Sequence, residues 1–211
     1  MYDRKIPTGI ILTAALLFFS VSPAIADYGP SDEFTEKQLA EFSSGYEYAL
    51  QQLESWLSDA PPPGENQARR EKELKGIDQA LYFKEASKLD CVGEFFDSRM
   101  RAFMQEYGKV KPGGDTLIWK LYNHTEIIQT DDVSIVIDLI KGFDKIEIPD
   151  EMLDRMIEKI DVLLITHSHR DHADRRVLDA FLDAGRPVVV PELFWPDYER
   201  NDELTVIRDG R

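Results

Sequence analysis

The spacing of apolar residues changes partway along the chain, from a helical period to short strand-like runs. From residue 35 to residue 108 the period is helical. Leu39, Phe42, Tyr46, Leu50, Leu53 and Leu57 recur every three or four positions and line one face of a helix. Thr35, with Gln38 three residues on, supplies a capping-box start. The run Ala60-Pro61-Pro62-Pro63-Gly64 must stop that helix, because proline lacks an amide donor and keeps the preceding residue out of the α region. Periodicity returns at Leu74, Ile77 and Leu81. A further stripe of Val92, Phe95, Phe96, Met100, Phe103 and Tyr107 ends at Gly108, which reads as a C-cap. This Phe and Met stripe reads as packing, and residues 27–111 are expected to form an α-helical segment without chemistry of its own.

Lys111-Pro112-Gly113-Gly114 reads as a loop and a domain boundary, so residues 115–211 form a second region. Thr116–Tyr122 and Glu126–Gln129 read as strands, with Asp131-Asp132 as a turn. Val133–Leu139 is β-branched and almost wholly apolar, as a buried strand should be. Residues from Gly142 to Pro149 read as loop. Asp150 is expected to cap a helix that uses Met152, Leu153, Met156, Ile157 and Ile160. The continuous run Val162–Ile165 reads as a central parallel strand. A helix over Asp174–Ala184 follows, and Val188–Val190 is the next strand. This β-α-β order predicts a parallel pair with a right-handed crossover. It also puts Thr166–Asp174 at a strand's carboxyl end, where such sheets carry their functional loops. Leu204–Ile207 reads as a last strand, and Asp209-Gly210 as a hairpin turn.

Composition narrows the class. A net charge of −15 over 211 residues lacks the basic face that nucleic acid requires. At the N-terminus, Arg4 and Lys5 precede an apolar run from Ile10 to Phe19, and Pro23 then leads to Ala24-Ile25-Ala26. That order is a secretory signal peptide over residues 1–26, and it predicts a secreted or periplasmic protein. The run is short of the roughly 20 residues a spanning helix needs, so no transmembrane span is expected in the mature chain. Cys91 is the only cysteine, which excludes an internal disulfide.

The chemistry gathers in one loop, Thr166-His167-Ser168-His169-Arg170-Asp171-His172-Ala173-Asp174. Three of the chain's four histidines lie within six residues here. Imidazole and carboxylate form the common ligand set of catalytic zinc, whereas closed structural sites are usually rich in cysteine. In an extended loop His167 and His169 point the same way and can reach one metal. Asp171 and His172 follow a turn and can address a second. Two ions roughly 3.5–4 Å apart suit a hydrolase.

His-x-His-x-Asp-His after an apolar strand resembles the signature of the metallo-β-lactamase superfamily over residues 115–211. Asn123-His124-Thr125, Asp138 and Asp174 are similar to features of its lactonase and phospholipase-D-like branch, although Asn123 stands where that branch has glycine. The resemblance implies an α/β fold: the N-terminal half of an αββα sandwich, here preceded by the helical segment. It implies that His167 and His169 bind one ion and Asp171 and His172 another. The ions would be zinc, with manganese or iron also suited to His and Asp ligands. A metal-bound hydroxide would be the nucleophile, with Asp171 orienting it and accepting its proton. His124, Asp138 and Asp174 become candidates for groups that hold ligand imidazoles. An ordinary loop histidine is the competing reading of His124, and a helix cap that of Asp174.

The family completes its site with later histidines and a bridging aspartate, and no histidine follows His172 before Arg211. The expectation is therefore a partial domain with little hydrolase activity of its own, and an unpaired sheet edge open to self-association or a partner chain. The substrate would be a small or lipid-like molecule: an ester, lactone, phosphodiester or β-lactam. The alternatives are a non-catalytic exported interaction protein carrying a degenerate metallohydrolase domain, and a di-iron oxidoreductase of the same fold.

Overall fold

The computed structural model of the chain describes residues 47–48, 50–55, 86–122 and 124–208. The signal-peptide reading, the capping box at Thr35, the proline run, the stripe at 74–81 and the turn at Asp209-Gly210 all lie outside these residues. The described residues fall into two compact bodies: residues 104–141 with 149–208, and residues 47–55 and 86–103 with 142–148.

The larger body is mixed α/β. Its sheet contains six strands: β1 (Leu117–Lys120), β2 (Glu126–Gln129), β3 (Ser134–Ile137), β6 (Val162–Leu164), β7 (Val188–Pro191) and β8 (Thr205–Ile207), adjacent in that order. β1, β2 and β3 form an antiparallel meander. From β3 onward every pairing is parallel. Helix α2 (Asp150–Ile157) falls between β3 and β6, and α3 (Arg175–Asp183) between β6 and β7. Continuous apolar runs become parallel strands because helical crossovers carry the chain back to the same end of the sheet.

One face of this sheet is dry. Trp119, Ile127, Val136, Leu163 and Val188 are fully buried, as are Met156 of α2 and Val177, Leu178 and Phe181 of α3. Burying each such side chain contributes about 1.5–3 kcal/mol. Tyr107 stands edge-on to Trp119, with ring centroids 5.9 Å apart. Its hydroxyl shares a 2.8 Å hydrogen bond with Ser134 Oγ, so a polar group enters this core satisfied. Asp131 accepts from the Gly113 and Gly114 amides at 3.0 and 2.7 Å, which ties the loop ahead of β1 to the β2–β3 turn.

The opposite face has a different character. Ile118, Ile128, Ile135, Ile137, Val162, Leu164 and Val189 alternate with the buried set, and all are half-buried. Edge strand β8 is exposed throughout. Among the described residues, no helix is long and apolar enough to cross a membrane.

In the smaller body, helix α1 (Asp90–Glu106) begins, and Val92, Phe96, Met100 and Phe103 form its buried stripe. Residues 47–48 and 50–55 are helical, with Leu50 and Leu53 buried. Glu54 accepts from Ser98 at 3.0 Å.

Two local expectations change. The segment from Gly142 to Pro149 is not all loop: β4 (Gly142–Phe143) and β5 (Ile146–Glu147) form a tight hairpin. Asp144 turns it with a positive φ of 54°, and Ser87 Oγ donates to its carboxylate at 2.6 Å. Strands of two residues each are too short to show alternation, although Ile146 is buried. At α2 the cap position belongs to Pro149, not Asp150. Asp150 is the first helical residue, and its carboxylate takes a 2.6 Å bond from Lys141 Nζ.

Phe181→Ala should cost about 3–5 kcal/mol, the loss typical of a buried aromatic ring, seen as a lower urea midpoint with an unchanged slope. Gly142→Ala should loosen the β4–β5 hairpin, because a Cβ there would overlap the Ile146 carbonyl and φ is +104°. Faster amide exchange confined to residues 142–147 is the expected signature.

Candidate metal centre

The candidate site stands where the parallel strands end. β3 closes on Asp138, which adopts a left-handed φ of 51°. Aspartate tolerates that region better than most residues, and the turn directs the Asp138 carboxylate under the loop that follows β6. There it accepts from the Thr166 amide and from the Thr166 hydroxyl, each at 2.7 Å. It also meets His172 Nδ1 at 2.8 Å. Burial works to raise this carboxyl's pKa, but the hydrogen bonds from His172 and Thr166 outweigh it and hold the group below the usual carboxylate range. The buried charge is thus satisfied from three directions.

A second anchor sets the β1–β2 loop. Thr125 is fully buried, and its hydroxyl donates to the Asp138 backbone carbonyl at 2.8 Å. Its own carbonyl accepts from the Leu121 amide at 3.0 Å. His124, the residue before it in the chain, is therefore carried to the His loop. Its ring stacks on His172 at a centroid distance of 4.3 Å with the planes 8° apart.

After Thr166 the loop turns on backbone bonds from the His172 and Ala173 amides to the His169 carbonyl, at 2.9 and 2.8 Å. The turn brings Asp171 round to the two stacked rings. Asp171 Oδ2 lies 3.6 Å from His124 Nε2 and 3.7 Å from His172 Nε2. One ligand atom from each of the three residues falls within 4.8 Å of the others. Donors bound tetrahedrally at about 2.0–2.1 Å stand about 3.3–3.4 Å apart, so the three residues could share a zinc-sized cation once the stacked His124 and His172 rings turn toward it. The tautomer fits as well. With the His172 Nδ1 proton on Asp138, the Nε2 lone pair faces the cluster, in the carboxylate–histidine–metal arrangement. His172 is 17% exposed, while His124 and Asp171 are 47% and 43% exposed, so the cluster is open on one side.

His167 and His169 lie next to it. His167 Nε2 and His169 Nδ1 are 3.1 Å apart, so both imidazoles stand on one side of the loop. The His167 and His172 ring centroids are 3.9 Å apart. Since Thr166 gives its proton to Asp138, its oxygen accepts from His167 Nδ1 at 3.0 Å, and His167 Nε2 is engaged with His169 Nδ1. All four histidines thus gather with Asp171.

No family model, curated protein or solved structure matches the chain. The site accordingly stands on its own geometry.

That geometry distributes the sequence-identified residues differently from the expected pairs. Asp171 and His172 are joined by His124, whose ring lies among the metal-ligand candidates rather than behind them. Asp138 holds the His172 imidazole. Asp174 caps α3: its carboxylate accepts from the Arg176 amide at 3.0 Å, the Arg176 guanidinium at 2.7 Å and the Lys141 amide at 3.1 Å. Two residues were given no role by the sequence reading. Thr166 relays hydrogen bonds between Asp138 and His167. Trp195 Nε1 donates to the Ser168 carbonyl at 3.3 Å, bracing the His loop from the β7–β8 connection. That connection is pinned in turn by Arg175 over the Trp195 ring at 5.2 Å and by Asn201 bonded to the Trp195 carbonyl at 2.8 Å.

Asp138→Asn should destabilise the fold by about 1–3 kcal/mol, the cost of disturbing a satisfied buried network. In the same variant, nitrogen NMR of His172 should lose the single Nδ1-protonated form.

Proposed function

We propose that this chain is a metal-dependent hydrolase of the metallo-β-lactamase type, exported through residues 1–26. The observation that carries the reading is the gathering of one donor atom each from His124, His172 and Asp171 within 4.8 Å of one another, with His172 fixed from behind by Asp138. The mixed sheet supports it too, because the cluster sits at the carboxyl end of a parallel strand, the usual place for chemistry in such sheets. The αββα sandwich is part of this proposal, as are the lactonase and phospholipase-D-like resemblance and the export.

His124, Asp171 and His172 would hold one ion, and His167 and His169 would join them or hold a second. Zinc suits the ligand set, and manganese or iron would be accepted. A bound divalent ion would supply Lewis acidity and a water of lowered pKa. The residues of the chain do the rest. Asp138 keeps the His172 ring from rotating, so its donor atom is aimed before any ligand arrives. Asp171, open to solvent, can take a proton from an attacking water. In the hydrolysis, the water oxygen joins an acyl carbon or phosphorus, the bond to the leaving oxygen breaks, and the proton ends on that oxygen. The half-exposed setting of the cluster admits a small or lipid-like substrate.

Isothermal titration with zinc should show saturable binding at stoichiometric ratio. His172→Ala and Asp171→Ala should each weaken it at least tenfold, and zinc-loaded protein should hydrolyse p-nitrophenyl acetate or bis(p-nitrophenyl) phosphate faster than either variant. Wild-type protein that binds no zinc would overturn the reading.

A further inference from the structure

Asp138 fixes Thr166 at the front of the His loop, and Asp174 fixes the start of α3 behind it. Between these ends the loop is held from outside at one further point. Ser168 separates His167 from His169 and is exposed, and its carbonyl accepts from Trp195 Nε1 at 3.3 Å. The peptide plane carrying that carbonyl joins ψ of Ser168 to φ of His169. With the plane rigid, these two torsions decide how His169 is turned relative to His167. The pair so set is close. His167 Nε2 and His169 Nδ1 are 3.1 Å apart, near the roughly 3.3–3.4 Å between two donors on one tetrahedral ion. One proton, from His169 Nδ1, now joins them. A cation held between the two nitrogens takes that proton's place, and the proton passes to His169 Nε2.

Trp195 is itself firmly held. Its carbonyl accepts from Asn201 Nδ2 at 2.8 Å and from the Tyr198 amide at 2.9 Å. Its ring lies 5.2 Å from the Arg175 guanidinium, with the Phe194 and Tyr198 rings 4.6 and 6.2 Å away. Its φ of 27° is sparsely populated for an aromatic residue. Such a conformation persists where the surroundings over-determine it, and it gathers at functional sites. Arg175 directly follows Asp174, so the same indole meets the His loop at Ser168 and just past its end. Packing alone needs no such arrangement, because Phe194 and Tyr198 are buried and already seat the connection. The indole N–H adds direction, and it spends it on the carbonyl between two imidazoles.

We propose that Trp195 is a positioning residue: its N–H sets His167 and His169 as a second arm of the metal centre, apart from the His124, Asp171 and His172 group that Asp138 orders. The inference rests on the hydrolase reading for the purpose of the ion, but not for the arrangement of the imidazoles.

The test uses the full chain, first free of metal and then with zinc alone. Metal-free wild-type protein should show nuclear Overhauser contacts between the His167 and His169 rings, whose centroids are 4.7 Å apart, and between the His124 and His172 rings, 4.3 Å apart. Trp195→Phe keeps a ring beneath Arg175 and removes the N–H. It should abolish the first contact, spare the second and leave the urea midpoint unchanged. Its zinc binding should weaken at least threefold, short of the roughly 10–100-fold expected on losing a group bonded directly to a ligand imidazole. Arg175→Ala, which frees the indole, should act in the same direction, and Arg175→Lys, which keeps a cation over the ring, should behave as wild type. Both contacts persisting in Trp195→Phe would overturn the proposal, as would loss of both together with a lower urea midpoint, the mark of a brace and nothing more. If Trp195→Phe fails to fold, Arg175→Ala decides on the same criteria. Loss of the first contact with zinc affinity unchanged would remove the pair from the metal centre and overturn the proposal. Wild-type protein that shows the expected contacts, and their selective loss, but binds no zinc would sink the hydrolase reading and leave the positioning of the imidazoles standing.

Discussion

A buried carboxylate must be surrounded by donors or it will not stay charged in a protein interior. Asp138 meets that condition by drawing in the Thr166 amide, the Thr166 hydroxyl and the His172 imidazole. Those groups come from the loop after β6, while the Asp138 carbonyl holds Thr125 of the β1–β2 loop. Two loops distant in sequence are thereby referred to one residue at the end of β3. The imidazoles of His124, His167 and His172 inherit their positions from it, which is why one donor atom each from His124, Asp171 and His172 lies within 4.8 Å of the others.

The same strand ends set the surroundings of that cluster. On one face, the helices bury Trp119, Val136 and Leu163 completely. On the other, branched aliphatic side chains stay half-buried and form a groove that begins at Thr166. A sheet apolar on both faces is what parallel strands produce, because their sequence runs lack polar alternation. The polar loop and the apolar groove meet at Thr166, which lines the groove and bonds to Asp138. Trp195 closes the third side, held by Arg175 and bonded to the His loop.

Much of the larger body was legible as pattern. The run Val162–Ile165, the polar loop after it and the amphipathic stretch that became α3 each reflect a local property: continuous burial, hydration or helical periodicity. The capping of α3 by Asp174 is local as well, since that carboxylate reaches only two residues onward to the Arg176 amide. The β4–β5 hairpin was less legible. Its strands are only two residues long, and its turn is anchored by Ser87, far away in the chain.

Within the candidate site the division follows distance along the chain. Local sequence was enough to bring His167, His169, Asp171 and His172 together, because six residues in one loop cannot separate far. It was also enough to set the order of strands and helices, which depends on the spacing of apolar residues. Which donors share a point was a tertiary matter. His124 joins Asp171 and His172 only because β1, β2 and β3 pair in register and Thr125 reaches the Asp138 carbonyl. Long-range pairing leaves no trace in local periodicity, so that choice belonged to the folded sheet.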